Sequence, residues 1–275
     1  TTAAIQWEGC SPVFVDIEKD YWTIDPQKIR EAITPNTTCI LATHVFGNPC
    51  DIESLEQIAK EYNLKIIYDA AHCFGVTYKG RSIFSYGDIS TCSFHATKIF
   101  HSAEGGALIC NQPKDCDKIF GFHNFGHKGK LEYSGLGINA KMSELSAAMG
   151  LSVLPDMESI YSKRKELVEH YKSQLISEFC STFNLRNNAT TNNSYFPLVF
   201  SDIKKREKVE KALNDRHIIP RRYFYPSLNK LPYVSKVKMP IAESLADRIL
   251  CLPLYHSLNH NDQMQVINII QKTLS

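Results

Sequence analysis

Apolar stretches of strand length alternate with amphipathic helical segments in the first part of this chain, and this alternation constrains the fold more than any other feature. Cys39–Val45 and Leu64–Tyr68 are near-continuous apolar runs, as expected for strands covered on both faces. Between them, Asp51 is placed to cap a helix whose apolar residues recur at helical spacing. Because strand–helix–strand units close with one hand, the pattern predicts a mostly parallel central sheet flanked by helices.

The remaining elements predict two domains. We expect residues 1–155 to form a large α/β domain, and residues 156–275 to form a smaller α+β domain that includes the linking helix Met157–Leu175. The other predicted helices are Thr1–Trp7, Asp25–Ile33, Cys116–Phe122, Lys141–Leu154, Lys204–Asn214, Glu243–Ile249 and Asn261–Leu274. The other predicted strands are Ser11–Asp16, Ile89–Phe94, Ala107–Cys110, Tyr195–Phe200 and Ile218–Tyr223.

Composition excludes several classes of function. The formal net charge of +2 comes with scattered basic residues, which argues against nucleic acid or a membrane surface as the main partner. The apolar runs are too short to span a bilayer, and no secretory signal is visible. The 9 cysteines are odd in number and lack C-x-x-C spacing, which indicates reduced thiols and a cytoplasmic protein.

Two histidine pairs have the four-residue spacing that can align metal ligands on a helix. His123 with His127 and His256 with His260 both fall in predicted loops. Neither pair has the glutamate that follows the first histidine in the H-E-x-x-H zinc motif. The sequence therefore predicts no metal site.

Asp69 and Lys98 have the pattern that a pyridoxal phosphate (PLP) site requires. Asp69 ends a predicted buried strand, and Lys98 lies on a bend between two further strands in the run from Ser93 to Gly106. PLP acts as an electron sink only while its pyridine nitrogen is protonated, so a carboxylate must lie against that nitrogen. A lysine that carries the cofactor aldehyde as a Schiff base must be partly unprotonated near neutral pH, which burial favours.

At these residues the chain resembles the sugar-nucleotide aminotransferases of the fold-type I PLP enzymes, which aminate keto-deoxyhexoses on a nucleoside diphosphate. The resemblance covers nearly the whole chain. The matching stretches, in the family's order, are Pro12–Asp16, Ile24–Pro26, His44–Pro49, Asp69–Gly75, Ser93–Gly106, Gly137–Leu145 and Leu252–Leu254.

The resemblance implies a role for each of five residues. Lys98 would anchor the cofactor and carry protons, Asp69 would face the pyridine nitrogen, and His72 would lie near the phenolic oxygen. Ser93 would bind the phosphate. Asn139 would reach the phosphate of a partner subunit, which implies a homodimer with shared active sites.

The same resemblance suggests a substrate. The hypothesis is transamination of a dTDP-4-keto-6-deoxyhexose with L-glutamate as the amino donor, in the synthesis of deoxyamino sugars for O-antigen or other polysaccharides. His123, Asn124, Arg222, Tyr223 and Tyr225 are candidate substrate contacts, because arginine and aromatic side chains suit a diphosphate and a base or sugar face.

Two alternatives stay open on the sequence alone. One is a different fold-type I activity, such as a sugar dehydratase, in which the family has a histidine in place of Lys98, or a cysteine desulfurase. The other is a non-catalytic, truncated or ligand-sensing relative. In the family a Gly-Thr or Gly-Ser pair binds the phosphate and an aromatic residue stacks on the cofactor, and both would fall ahead of Thr1.

Overall fold

A computed structural model describes residues 1–275. None of its helices combines the length and the apolar composition needed to cross a bilayer. The helices are α1 Thr2–Trp7, α2 Pro26–Ala32, α3 Ile52–Tyr62, α4 Pro113–His123, α5 Glu144–Val153, α6 Met157–Leu175, α7 Ile203–Asn214, α8 Pro240–Arg248 and α9 His260–Leu274. The strands are β1 Cys39–Thr43, β2 Lys65–Asp69, β3 Thr77–Tyr78, β4 Arg81–Ser82, β5 Ile89–Ser93, β6 Gly106–Cys110, β7 His127–Lys128, β8 Glu132–Tyr133, β9 Cys180–Ser181, β10 Pro197–Phe200 and β11 Ile249–Cys251.

The first sheet has the order β1-β2-β5-β6. β1, β2 and β5 run parallel, and β6 returns antiparallel beside β5 through the bend that carries Lys98. Asp25 and Asp51 begin α2 and α3 as predicted, since their side chains accept hydrogen bonds from backbone N–H groups of the first turn. Leu55 and Ile58 of α3 are fully buried against β1 and β2, so the amphipathic face of this helix covers the sheet.

The second sheet is antiparallel, with the order β11-β10-β9. All four residues of β10 are buried, and helices α6, α7 and α9 pack around it. This sheet has its own core, which includes Tyr171, Phe196 and Phe200. β3 with β4 and β7 with β8 form two short hairpins apart from both sheets.

Two predicted strands are wrong. Residues 11–16 form no strand, and only an isolated bridge between Ile17 and Ile24 follows them. Asp16, the last of these residues, is buried at the start of α8. Its carboxylate accepts hydrogen bonds from the first backbone N–H groups of that helix, at Ile241 and Ala242, over 3.0 and 2.9 Å. Residues 218–223 likewise form no strand, apart from a single bridge between Arg221 and Cys251.

Residues 183–194, the crossing segment, connect β9 to β10 of the second sheet and pass over the loops of the first sheet on the way. The Arg186 guanidinium is buried against Glu18 and donates to the Pro49 carbonyl over 2.9 Å. The Asn48 side chain donates to the Asn184 carbonyl over 2.9 Å. The crossing segment is therefore fixed to the first part of the chain by buried polar contacts before β10 begins.

Candidate active site

The carboxyl ends of three parallel strands bring the predicted site residues to one edge of the first sheet. Asp69 ends β2, where it lies beside Thr43 of β1 and Thr91 of β5 in the register of the sheet. Ser93 ends β5, and its hydroxyl accepts from the His95 N–H over 3.4 Å. Open α/β sheets bind ligands at this edge, because the loops there are free to carry functional groups.

Lys98 lies on the bend between β5 and β6, and the bend is anchored by apolar residues. Ile99 and Phe100 are buried, and the Phe100 ring stacks on Phe74 at 4.2 Å between centroids. The Lys98 N–H donates to the His95 carbonyl over 2.9 Å, which closes the turn. The half-buried amine is therefore presented by a rigid backbone.

Burial lowers the pKa of the Lys98 amine from its ordinary value, and the Asp69 carboxylate opposes this shift. A lower pKa raises the neutral fraction of the amine, and the neutral amine is the nucleophilic form. Lys98 also makes none of the ion pairs that occupy other lysines of the chain, such as Lys65 with Asp88. The geometry leaves this amine available for chemistry.

The Asp69 carboxylate is oriented by two donors. The Ala71 N–H donates to Oδ1 over 3.2 Å, and the Thr1 hydroxyl donates to Oδ2. Both contacts come from outside β2, so they fix the direction of the side chain beyond the end of the strand. Such a carboxylate can accept a proton-bearing ring nitrogen as a further partner.

His72 is a buried, neutral imidazole with a defined tautomer. The Phe46 N–H donates to Nδ1 over 3.1 Å, so the proton of the neutral ring lies on Nε2. Burial lowers the pKa of His72 to about 3, with a further lowering by the Lys98 charge and an opposing effect of Asp69. At neutral pH His72 therefore offers one N–H donor, at Nε2.

Three aromatic residues that the sequence did not single out surround His72. The ring centroid of His72 lies 4.8 Å from Tyr195, 5.6 Å from Phe224 and 6.2 Å from Phe46. Phe46 belongs to a stretch that carried the family resemblance, and Phe224 lies between the predicted contacts Tyr223 and Tyr225. These two sequence positions could have marked Phe46 and Phe224 as candidates for the site, but the sequence does not show that their rings meet at His72.

The candidate substrate contacts in the C-terminal part of the chain do not all lie at the same place in the structure. Tyr223 joins the site, since its ring is parallel to Phe224 at 4.9 Å and its hydroxyl accepts from Arg221 over 3.1 Å. Arg222 turns the other way: its guanidinium lies 3.6 Å from the Tyr225 ring centroid, and it donates to a backbone carbonyl of α8 over 3.3 Å. Arg221, rather than Arg222, is thus the arginine nearer to the His72 group.

His123 ends α4, and Asn124 and Asn139 lie on the connection between α4 and α5. Asn124 and Asn139 form a backbone bridge, and the Asn139 side chain accepts from Lys141 Nζ over 2.5 Å. His123 and Lys141 border a cavity of about 550 Å³ that also touches the glycine pair at the end of the Lys98 bend. Within one chain, no hydrogen bond joins Asn139 to Asp69, His72 or Lys98.

The donor set at the sheet edge fits PLP. An available half-buried amine, an oriented carboxylate, an imidazole N–H and a strand-end hydroxyl match the aldehyde, pyridine nitrogen, phenolic oxygen and phosphate of that cofactor. The residues do not suit a metal instead, since no group of three or more His, Cys, Asp and Glu side chains is arranged to hold one. All nine cysteines are unpaired.

Comparison with known proteins gives consistent matches over the whole chain. Residues 1–271 match the model of the DegT/DnrJ/EryC1/StrS aminotransferase family. The chain is 39% identical to the dTDP-4-amino-4,6-dideoxy-D-glucose transaminase of Escherichia coli, with 98% of this chain and 76% of that protein covered. It is 30% identical to the GDP-perosamine synthase of Escherichia coli O157:H7, with 99% and 75% covered.

Solved structures agree with the sequence matches. DesI, determined in the presence of its TDP-sugar product, superposes with a TM-score of 0.92 at 31% identity, covering 98% of this chain and 71% of that one. NtdA from Bacillus subtilis, with bound cofactor PMP, superposes with a TM-score of 0.90 at 28% identity, covering 100% and 65%.

Proposed function

This chain belongs to the DegT/DnrJ/EryC1/StrS aminotransferase family, and on that premise we propose that it transfers an amino group from L-glutamate to a nucleotide-linked keto-deoxyhexose. Membership makes it a PLP-dependent aminotransferase of fold type I, which confirms the predicted fold class and enzyme class. The observation that carries the proposal is the half-buried Lys98 amine beside the oriented Asp69 carboxylate, at the carboxyl edge of the sheet.

We propose that four residues of this chain hold the cofactor. Lys98 Nζ holds its aldehyde carbon, Asp69 accepts from its pyridine nitrogen, His72 Nε2 donates to its phenolic oxygen, and the Ser93 hydroxyl binds its phosphate. When bound, PLP supplies an electron sink that stabilises negative charge on the carbon next to the transferred nitrogen.

We also propose that Lys98 moves protons. When Nζ is not bonded to the cofactor, its lowered pKa would leave a larger neutral fraction of the amine, which can accept a proton near neutral pH. The same amine can return that proton to a neighbouring carbon, so one residue serves as base and then as acid. The Asp69 charge opposes the effect of burial on the pKa of this amine.

The proposed acceptor is a dTDP-4-keto-6-deoxyhexose. Support comes from two relatives, 39% and 37% identical, which are named dTDP-4-amino-4,6-dideoxy-D-glucose transaminases. The GDP-perosamine synthases among the relatives make GDP-linked sugars the competing acceptor class. We propose that Tyr223, which stacks on Phe224, contacts the sugar, and that Arg222, His123 and Asn124 contact the rest of the substrate.

We propose that the working form is a homodimer in which Asn139 completes the partner's site. The connection between α4 and α5 exposes large apolar side chains, with Leu131 and Leu136 more than 90% exposed, and Leu145 of α5 is 86% exposed. Apolar patches of this kind are typical of interaction surfaces. Because Asn139 lies on this same connection, burial of the patch by a second copy would carry Asn139 toward that copy.

The proposed function is tested by titrating the protein with PLP and recording the visible absorbance spectrum. We expect a saturable visible band in the wild type and none in Lys98→Ala, while the exposed Lys79→Ala control keeps the band. Amination of dTDP- and GDP-linked 4-keto-6-deoxyhexoses with glutamate is then followed by mass spectrometry. Cofactor binding without any aminated product would refute the proposed reaction, and a folded wild type that binds no PLP would favour the non-catalytic alternative.

The shared site has its own test in mixed dimers of Lys98→Ala and Asn139→Ala chains. Each homodimer should be inactive or weakly active, since each lacks one required group at both sites. A mixed dimer regains one intact site if Asn139 serves the partner. If mixing restores no activity in dimers shown to contain both chains, Asn139 does not act across the interface.

A further inference from the structure

Phe224 covers His72 from outside the first sheet. Its ring is nearly parallel to the imidazole, with an interplanar angle of 12° and 5.6 Å between centroids. Phe224 belongs to the segment of residues 221–226, here called the cover segment, which bridges to β11 of the second sheet through Arg221. Phe224 is 45% exposed, so part of the residue meets solvent although its ring packs against His72 and Tyr223.

The other walls around His72 come from more rigid positions. Phe46 is 3% exposed and lies 5.8 Å from Phe224 in a second near-parallel stack. Tyr195 directly precedes the fully buried Phe196, and its ring is tilted against His72 at 4.8 Å. His72 itself is 7% exposed. Phe224 is therefore the most exposed of the three rings around His72, and its removal is the change expected to admit water to the imidazole.

The charged state of His72 depends mainly on this enclosure. The charged groups that act on it are Lys98 and Asp69, and the titratable residue packed against its ring is Tyr195. The Lys98 charge disfavours an imidazolium and the Asp69 charge favours it, so these two effects oppose each other. Burial is the largest influence and acts in favour of the neutral ring.

Protonation of His72 would also break its hydrogen bond to the backbone. Nδ1 accepts from the Phe46 N–H over 3.1 Å, and a protonated Nδ1 would face that donor with a donor of its own. The ring would then rotate away from the position that aims Nε2 at the site. Charge and orientation of His72 are thus coupled, and both require that water be kept out.

We propose that Phe224 is a positioning residue that keeps His72 neutral and oriented, so that the placement of the cover segment sets the protonation state of the active site. This inference rests on the proposed placement of His72 beside the cofactor. The cover segment, which bridges to the second sheet, would then control the protonation of His72 beside the first sheet. When the cover segment is in place His72 is a fixed donor, and when it is displaced His72 becomes an ordinary titrating imidazole.

The test is the side-chain ¹⁵N spectrum of His72 in the cofactor-free protein, assigned by the signal that His72→Gln removes. In the wild type we expect the Nε2–H tautomer and no titration between about pH 5 and pH 8. In Phe224→Ala the ring should titrate, with a midpoint that approaches the ordinary value near ~6.5. Phe224→Tyr keeps the ring and should restore the wild-type spectrum, and Tyr233→Ala, a control of similar exposure, should not change it.

A Phe224→Ala protein with a native circular dichroism spectrum and an unchanged, non-titrating His72 overturns the proposal. If that variant does not fold, Phe224→Leu is measured in its place, and a raised titration midpoint supports the proposal while an unchanged one overturns it. Because the measurement needs no cofactor, its result is independent of whether the protein binds PLP or aminates a sugar.

Discussion

Replacing His44 by Gln should make the protein less sensitive to acid. His44 is fully buried and stacks on Tyr68 at 4.4 Å. Its Nδ1 accepts from the Cys50 N–H over 2.9 Å, and its Nε2 has no partner. A glutamine oxygen can accept the same bond, so the substitution removes the titrating group while keeping the acceptor.

The magnitude follows from the pKa of His44, which burial lowers from 6.5 to about 3. Below pH 6.5 His44 binds a proton in the unfolded state, whereas in the folded state it stays neutral down to about pH 3. The free energy of unfolding therefore falls as the pH falls through this window. At about pH 5 the unfolded state is favoured by roughly 2 kcal/mol through this one residue.

The assay is urea unfolding of the wild type and His44→Gln at about pH 7.5 and pH 5. Between these pH values the variant should lose about 2 kcal/mol less unfolding free energy than the wild type. The exposed His256→Gln is the matched control and should lose as much as the wild type. Equal losses in wild type and His44→Gln would refute the reasoning, because they would mean that His44 is protonated in the folded state.

Three further substitutions and one control test the packing that supports the site, each by urea unfolding near neutral pH. Asp16→Ala removes the carboxylate that caps α8 and should cost about 2 kcal/mol; no loss would mean that water replaces the cap. Arg186→Met leaves buried acceptors unpaired and should cost about 3 kcal/mol, whereas a loss below about 1 kcal/mol would show the pair to be dispensable. Gly87→Ala places a Cβ 2.7 Å from the Tyr68 ring at a φ of +71° and should cost about 3 kcal/mol. Gly80→Ala, at a φ of +73° with open space around it, should cost about 1 kcal/mol, and equal costs at the two glycines would contradict the clash.

The sequence predicted the first sheet and the Lys98 edge because both depend on local patterns. Apolar runs mark β1 and β2, and a residue directly after such a run must lie at the carboxyl edge of the sheet, which placed Asp69. The antiparallel direction of β6 was not predicted, because neither the residues of β5 nor those of the bend indicate whether the next strand runs parallel or antiparallel. The roles of Asp69, His72, Ser93, Lys98 and Asn139, the domain boundary at residue 155 and the cytoplasmic location stay predictions.

The surroundings of the site could not be predicted, because they depend on contacts between distant parts of the chain. Phe46, Tyr195 and Phe224 meet at His72 only after both sheets have formed. Ser11–Asp16 has the composition of a strand, but the capping of α8 by Asp16 uses backbone groups more than two hundred residues away. A pattern of local preferences cannot represent such a partner.

The crossing segment has a consequence for how the molecule can come apart. Its Asn192 side chain donates to the His72 carbonyl over 2.8 Å, and its Thr190 hydroxyl contacts Thr77. Its Arg186 guanidinium lies over the Tyr21 ring, 4.1 Å from the ring centroid. A protease cut in the turn between α6 and β9 would therefore produce two fragments that stay associated, because the second fragment carries the crossing segment, which is hydrogen-bonded to the first. Co-expressed halves divided at that turn should reassemble as a split protein. A division after the crossing segment would leave Asn192 and His72 on the same fragment, so these contacts would no longer hold the two halves together.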